Sequence, residues 1–118
     1  MPTAQVLLSG SIKPALLAIG KDSIAAQQLV LGTACAESDL KHREQIGGGP
    51  ALGLFQMEKA THDDIWDNYL KYRESLSNKV SALLKNDDKH EQLKNNDKYA
   101  AAMCRVHYAR RPEVAAQG

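Results

Sequence analysis

Leu29-Val30-Leu31-Gly32-Thr33-Ala34-Cys35-Ala36-Glu37-Ser38 is the stretch on which the reading of this chain turns: a mostly apolar run that ends in a carboxylate. Upstream, Asp22 or Ser23 is placed to cap a helix. Ile24, Gln27, Gln28, Leu31 and Cys35 share one face of that helix, and Leu29, Val30 and Ala34 supply another. Apolar on most sides, it reads as a core helix. Glu37 falls at or just past its C-terminus, where the helix dipole disfavours negative charge. Apolar neighbours disfavour the charged form as well. The pattern therefore predicts a carboxyl that keeps its proton near neutral pH, as a general acid must. Beyond a short polar loop lies Gly47-Gly48-Gly49-Pro50-Ala51-Leu52-Gly53-Leu54-Phe55-Gln56, whose glycines let backbone come close to a ligand.

Helical spacing continues outward from this centre. Met1 to Gly10 reads as a loose leader, and Ile12 to Ile19 as a short helix with Pro14 in its first turn and Gly20 at its end. Asp39 to Gln45 is a polar loop, and Ile46 to Gln56 carries a short extended piece over Leu52 to Gln56. Thr61 opens the next helix with Asp64 as a capping-box variant, and Ile65, Tyr69 and Tyr72 face inward with Trp66 and Leu70 beside them. Leu76, Val80, Leu83 and Leu84 follow at amphipathic spacing. Asn86 to Asn96 is a charged connection with a helical turn around His90 to Leu93. Asn96 or Asp97 caps a last helix whose face holds Tyr99, Met103, Val106 and Arg110, and Pro112 stops it. The expected class is mainly α, one domain over residues 1–118, with a small irregular or β-like segment between the second and third helices.

Composition narrows the partners. The chain has 118 residues, 43% hydrophobic and 25% charged, with a net charge of +1 and 5% aromatic residues. Neither a basic field nor a stacking platform argues for nucleic acid. Val6-Leu7-Leu8 is too short for the apolar core of a signal peptide, and no run is long enough to span a membrane. The expectation is synthesis as a soluble cytoplasmic product, without membrane insertion. Cys35 and Cys104 lie in apolar helical patterns and read as buried free thiols. His62, Asp63 and Asp64 are adjacent rather than i, i+3 or i+4, which is poor spacing for metal ligands on one helix face. His107 and Cys104 are i, i+3, but two ligands do not make a site. No metal and no cofactor are expected.

Glu37-Ser38 followed by Pro50-Ala51-Leu52-Gly53-Leu54-Phe55-Gln56 resembles the soluble lytic transglycosylases and goose-type lysozymes. Those families carry a Glu-Ser pair and then a Gly-Ala-x-Gly-Leu-Met-Gln stretch. Here proline replaces the first glycine and phenylalanine the methionine. The likeness is closest over residues 22–70 and looser to the last helix. Gln56-Met57-Glu58 and Thr61-His62-Asp63-Asp64-Ile65-Trp66 look more like bacteriophage members of the group. The resemblance implies a lysozyme-like fold and cleavage of the glycosidic bond between N-acetylmuramic acid and N-acetylglucosamine in bacterial peptidoglycan. Virion or holin partners and action on the cell wall go with it. Relatives often run on for several more helical segments, so a continuation beyond Gly118 stays open, as does the oligomeric state.

In that group the glutamate protonates the glycosidic oxygen and then acts as base, which assigns both roles to Glu37. The base activates water in lysozymes, or the sugar's own 6-hydroxyl in transglycosylases, leaving a 1,6-anhydro end. Ser38 matches the serine beside the acid, with local backbone bonding the competing role. Gln56 matches a substrate-contacting glutamine whose amide both donates and accepts. Glu58 departs from an apolar position. If the backbone is extended it points the same way as Gln56 and serves as water-activating base or cation stabiliser. If the next helix has begun, it is a first-turn acid. Tyr69 and Tyr108 resemble tyrosines that contact sugar or orient the glutamate. Lys41, His42 and Arg43 form a basic loop that either meets anionic peptides or is simply solvated, and Arg105, Arg110 and Arg111 read as cations complementing a helix dipole. Two other classes stay in view. One is an inactive lysozyme-like module for glycan binding or virion assembly; the other is a plain helical interaction protein.

Overall fold

The computed structural model describes residues 3–44 and 49–110. The chain begins in helix. α1 (Ala4–Leu7) runs through a π-helical turn, Leu8–Ile12, into α2 (Lys13–Ala18). The expected loose leader is therefore ordered helix from Ala4 on. Pro14 explains the irregular turn: in a regular helix its ring would crowd the carbonyl of Gly10, and it has no N–H to give. α2 ends where expected. Gly20 takes φ 72, Lys21 N–H donates to Leu16 O (2.9 Å) and Gly20 N–H to Leu17 O (3.1 Å), a Schellman stop.

α3 (Ile24–Ser38) is capped by Ser23, whose hydroxyl accepts from Ala26 N–H at 3.0 Å. Its buried residues are Ala26, Gln27, Val30, Ala34 and Ser38, a narrow i, i+4 stripe rather than the expected all-round apolar surface. Ile24 is 68% exposed and Cys35 is exposed, so neither lies on the inner face. The helix buried over most of its surface is instead α7 (Asp97–Ala109), where Tyr99, Ala100, Ala101, Ala102, Met103, Cys104 and Val106 are all enclosed. Three consecutive alanines let neighbouring backbones approach closely. Asn96 caps it, accepting from Tyr99 N–H at 3.2 Å while donating to Leu83 O and Gln92 Oε1 at 2.8 Å each.

Between α3 and α7 the chain forms a small hairpin and three short helices. β1 (Ala51–Leu52) pairs antiparallel with β2 (Met57–Glu58), Ala51 opposite Glu58. Most of Leu52 to Gln56, read above as extended, is the turn between them. α4 (Lys59–Asn68) starts two residues before Thr61, with Glu58 at its N-cap position making no side-chain cap bond. Asp64 caps nothing: it accepts from Asn68 Nδ2 and from Arg110, both at 2.6 Å. A 3-10 turn, Leu70–Tyr72, breaks the expected helical face, so Ile65 is buried but Tyr72 is 71% exposed. α5 (Glu74–Ser81) buries Val80, and α6 (Lys89–Asn95) forms where a turn around His90 is expected. Pro112 and Arg111 lie outside the described residues. Among the described residues no helix is long and apolar enough to cross a membrane.

The polar centre of this packing is Tyr99. Its hydroxyl accepts from Trp66 Nε1–H (2.8 Å) and lies 2.7 Å from His62 Nε2. His62 Nδ1 in turn sits 2.9 Å from Asp63 Oδ1, and His90 Nε2 reaches the same oxygen at 2.8 Å. Counting protons orders the chain. Indole only donates and carboxylate only accepts, so Tyr99 O–H donates to a neutral His62, whose Nδ1–H donates to Asp63. Burial holds the His62 pKa below the ordinary imidazole value, against the pull of Asp63, and keeps the ring neutral.

One glycine is fixed by close approach. Gly53 has φ 78, and a Cβ there would stand 2.2 Å from the Leu93 carbonyl oxygen on α6. Gly20 also has positive φ, but its nearest neighbour is the flexible end of Lys79 at 3.6 Å. Gly53→Ala should cost about 3 kcal/mol or more in urea unfolding, from strain plus a backbone clash, and Gly20→Ala only about 1 kcal/mol. Equal losses would remove the Gly53–Leu93 contact as a constraint.

Candidate functional site

Three separated stretches converge on one cleft of about 310 Å³, lined by Thr33 and Glu37 from α3, Phe55 to Glu58 and Thr61 around the hairpin, and Cys104, His107 and Tyr108 from α7. Of the sequence-derived site residues, Glu37, Gln56, Glu58 and Tyr108 meet there. Ser38 and Tyr69 do not. Ser38 faces inward along the buried stripe and donates to Ala34 O at 2.9 Å, so its role is structural. Tyr69 lines a different hollow with Arg73, whose guanidinium stacks 3.7 Å from the ring centre.

Glu37 is the penultimate residue of α3, and its side chain is exposed. The apolar enclosure expected around it is absent. The reason is rotational: Ala34 and Ser38 define the buried stripe, and Glu37 is turned about 100° from Ser38. Among the described residues the carboxyl makes no hydrogen bond or ion pair. One turn earlier, Thr33 lies on the same side of the helix. Its Oγ1 donates to Leu29 O (2.8 Å) and accepts from Tyr108 O–H (2.8 Å). This bond fixes the tyrosine in the cleft that Glu37 also lines. Thr33 is the site residue that sequence reading missed, though its i−4 spacing from Glu37 could have revealed it.

Gln56 sits at φ 49 in the hairpin turn, a left-handed conformation unusual for a non-glycine residue. Its Nε2 donates to Gly53 O (2.9 Å) and His42 O (3.1 Å), which commits the amide nitrogen to holding the turn. The oxygen end keeps accepting capacity toward the cleft. Leu40, just past the end of α3, also has positive φ, at 60°. Glu58 meets neither condition in full: Gln56 is not extended, and Glu58 stands ahead of the first turn of α4 as its N-cap. Its own backbone is extended (φ −70, ψ 146) on β2. The side chain is exposed and makes no cap bond. Two carboxylates thus line the cleft, with no lysine or arginine among its lining residues.

Arg43 ties the basic loop to the last helix. Arg43 makes a bidentate pair with Asp97 at the start of α7 (2.6 and 3.0 Å) and donates to Lys94 O (3.1 Å). Asp97 thereby holds the Arg43 guanidinium pKa above its ordinary value. Arg43 O then accepts from Gly53 N–H at 2.7 Å, so the ion pair reaches the hairpin turn. Arg110 and Arg105 also make tertiary ties rather than serving the helix dipole alone: Arg110 to Asp64, and Arg105 Nε to Lys21 O at 3.2 Å.

No protein-family model, no curated protein and no solved structure matches this chain.

Two predictions follow from these contacts. Arg43→Ala should destabilise the fold by about 1–2 kcal/mol, read as a lower urea midpoint; a midpoint within error of wild type would show that the pair contributes nothing. The thiols should differ sharply. Cys35 is exposed, whereas Cys104 is buried and burial pushes its pKa up to about 12. An aromatic disulfide reagent should titrate one thiol in the native protein and two in guanidinium chloride.

Proposed function

We propose that this chain is a lysozyme-like domain that cleaves the β-1,4 bond between N-acetylmuramic acid and N-acetylglucosamine in peptidoglycan, with Glu37 as general acid and then base. The observation that carries the reading is the cleft itself: Glu37, Gln56, Glu58 and Tyr108 come from three stretches far apart in sequence and line the same space. These include the acid and the glutamine on which the likeness to lytic transglycosylases and goose-type lysozymes rests. A Glu37 carboxyl without a hydrogen-bond or ion-pair partner among the described residues is available to give its proton to the leaving oxygen as the C1–O bond breaks. The positive charge developing at C1 meets a cleft with two carboxylates and no fixed cation among its lining residues. Glu58 or the substrate's own acetamido group stabilises that charge. Glu37 then takes a proton from water, or from the 6-hydroxyl of the same sugar to leave an anhydro end. Tyr108 offers a ring face to the sugar, and Gln56 accepts through its oxygen. A phage lytic enzyme, carried in the virion or released through a holin pore, is the setting that fits this chemistry.

The exposure of Glu37 favours a second reading, an inactive module of the same fold that binds glycan strands or serves virion assembly. Purified peptidoglycan separates the two. Wild type should release muropeptides and Glu37→Gln should lose about 10²–10⁴-fold of that rate. If both proteins bind sacculi and neither releases soluble sugar, the binding module takes the enzyme's place. Mass spectrometry of the products identifies the base step, since an anhydro end lacks one water. Glu58→Gln should slow release by about tenfold or more if Glu58 supports the cation, and unchanged rates would leave that role to the acetamido group.

A further inference from the structure

His62 and Asp63 line a hollow that shares no lining residue with the Glu37 cleft, and His90 reaches Asp63 from α6. We infer that His62 and Asp63 of α4, together with His90 of α6, bind a divalent transition-metal ion and so clamp the two helices to each other. The two imidazoles converge on a single carboxylate oxygen, at 2.9 Å from His62 Nδ1 and 2.8 Å from His90 Nε2. The three donor atoms all lie within 4.8 Å of one another. An ion about 2.0–2.2 Å from each of them needs only small side-chain rotations. His62 is fully buried and cannot swing, while Asp63 is exposed and His90 half-buried, so the two adjustable ligands are on the solvent side.

The surroundings also accommodate a metal. A ligating imidazole is normally oriented through its other nitrogen. His62 Nε2 already faces the Tyr99 hydroxyl at 2.7 Å, and Trp66 Nε1 fixes that hydroxyl from the other side. When His62 Nδ1 ligates, Nε2 carries the proton and donates to Tyr99 O, whose hydroxyl hydrogen rotates away. Above the cluster the hollow is open and lined by Trp66, Asp67, Lys71 and Lys89. Asp67 is one turn on from Asp63 and offers a further oxygen on that side of α4. The Lys89 ammonium is drawn over the Trp66 ring, 5.1 Å from its centre. Two nitrogens and one oxygen make a borderline donor set, which selects zinc, nickel or cobalt over magnesium or calcium.

The site is tested with no substrate present. Protein stripped with chelator and exchanged into metal-free buffer is titrated with zinc by calorimetry, and with cobalt by visible absorption. The expected result is one equivalent of zinc with a Kd below about 10 µM, cobalt bands from a mixed nitrogen–oxygen sphere, and no response to magnesium. Melting should rise by about 10 °C in zinc at roughly a hundredfold excess over Kd. His90→Ala, a change at a partly exposed position, should keep the metal-free melting temperature within a few degrees and weaken zinc binding at least about thirtyfold. His42→Ala, in the exposed loop, should bind as wild type does. Absence of saturable zinc binding up to about 1 mM, or undiminished affinity in His90→Ala, overturns the proposal.

Discussion

Enclosure of α7 organises everything else in the molecule. A helix with seven buried residues in thirteen has little surface to give to water, so the remaining elements must cover most of it. That enclosure brings a phenol into the interior. A buried hydroxyl without partners costs about 1–3 kcal/mol, and the fold avoids the loss by directing both Trp66 and His62 of α4 at Tyr99. The registry of α4 against α7 follows from these two bonds. Through Asp63 and His90 the same network reaches α6. The N-terminus of α7 is held as firmly, because Asn96 closes three hydrogen bonds there and Asp97 holds Arg43.

The cleft is what this packing leaves open. α3 covers α7 with a stripe one residue wide per turn, and Glu37 falls just beside that stripe. The hairpin approaches from the other side, anchored in the core by Leu54, Phe55 and Met57 and tied by Arg43 and Gln56. Among the described residues, two of the three non-glycine positions with positive φ are Leu40, immediately past Glu37-Ser38-Asp39, and Gln56. Such conformations cost free energy and gather where a surface must be shaped for a ligand. Gln56 lines the cleft itself, and Leu40 lies three residues beyond Glu37.

The helical class, the cap at Ser23, the stop at Gly20 and the cap at Asn96 were legible because each depends on residues within a few positions of one another. Burial was less legible. Ile24 and Cys35 are as apolar as Val30 and Ala34, and only the direction from which α7 arrives decides which pair is covered. The alanines of α7 carry little hydrophobic signal individually, so the most buried helix did not stand out. For the cleft, resemblance pointed to Glu37, Gln56 and Tyr108, and the fold brings them together. It could not show that Ser38 turns inward or that Tyr69 belongs to another hollow. The cluster at His62 was dismissed from spacing on one helix alone; its third member, His90, lies 28 positions away on another.

Gly53 touches Leu93 backbone to backbone, with no side chain between them. A side chain at such a contact would act as a spring, since rotamer changes absorb small displacements before they reach the main chain. Here there is none. A shift of α6 toward the hairpin must be taken up by the turn itself, and that turn carries Gln56 on one wall of the cleft. The helix that holds His90 and the loop that holds Gln56 thus meet main chain to main chain, and a push from one is passed directly to the other.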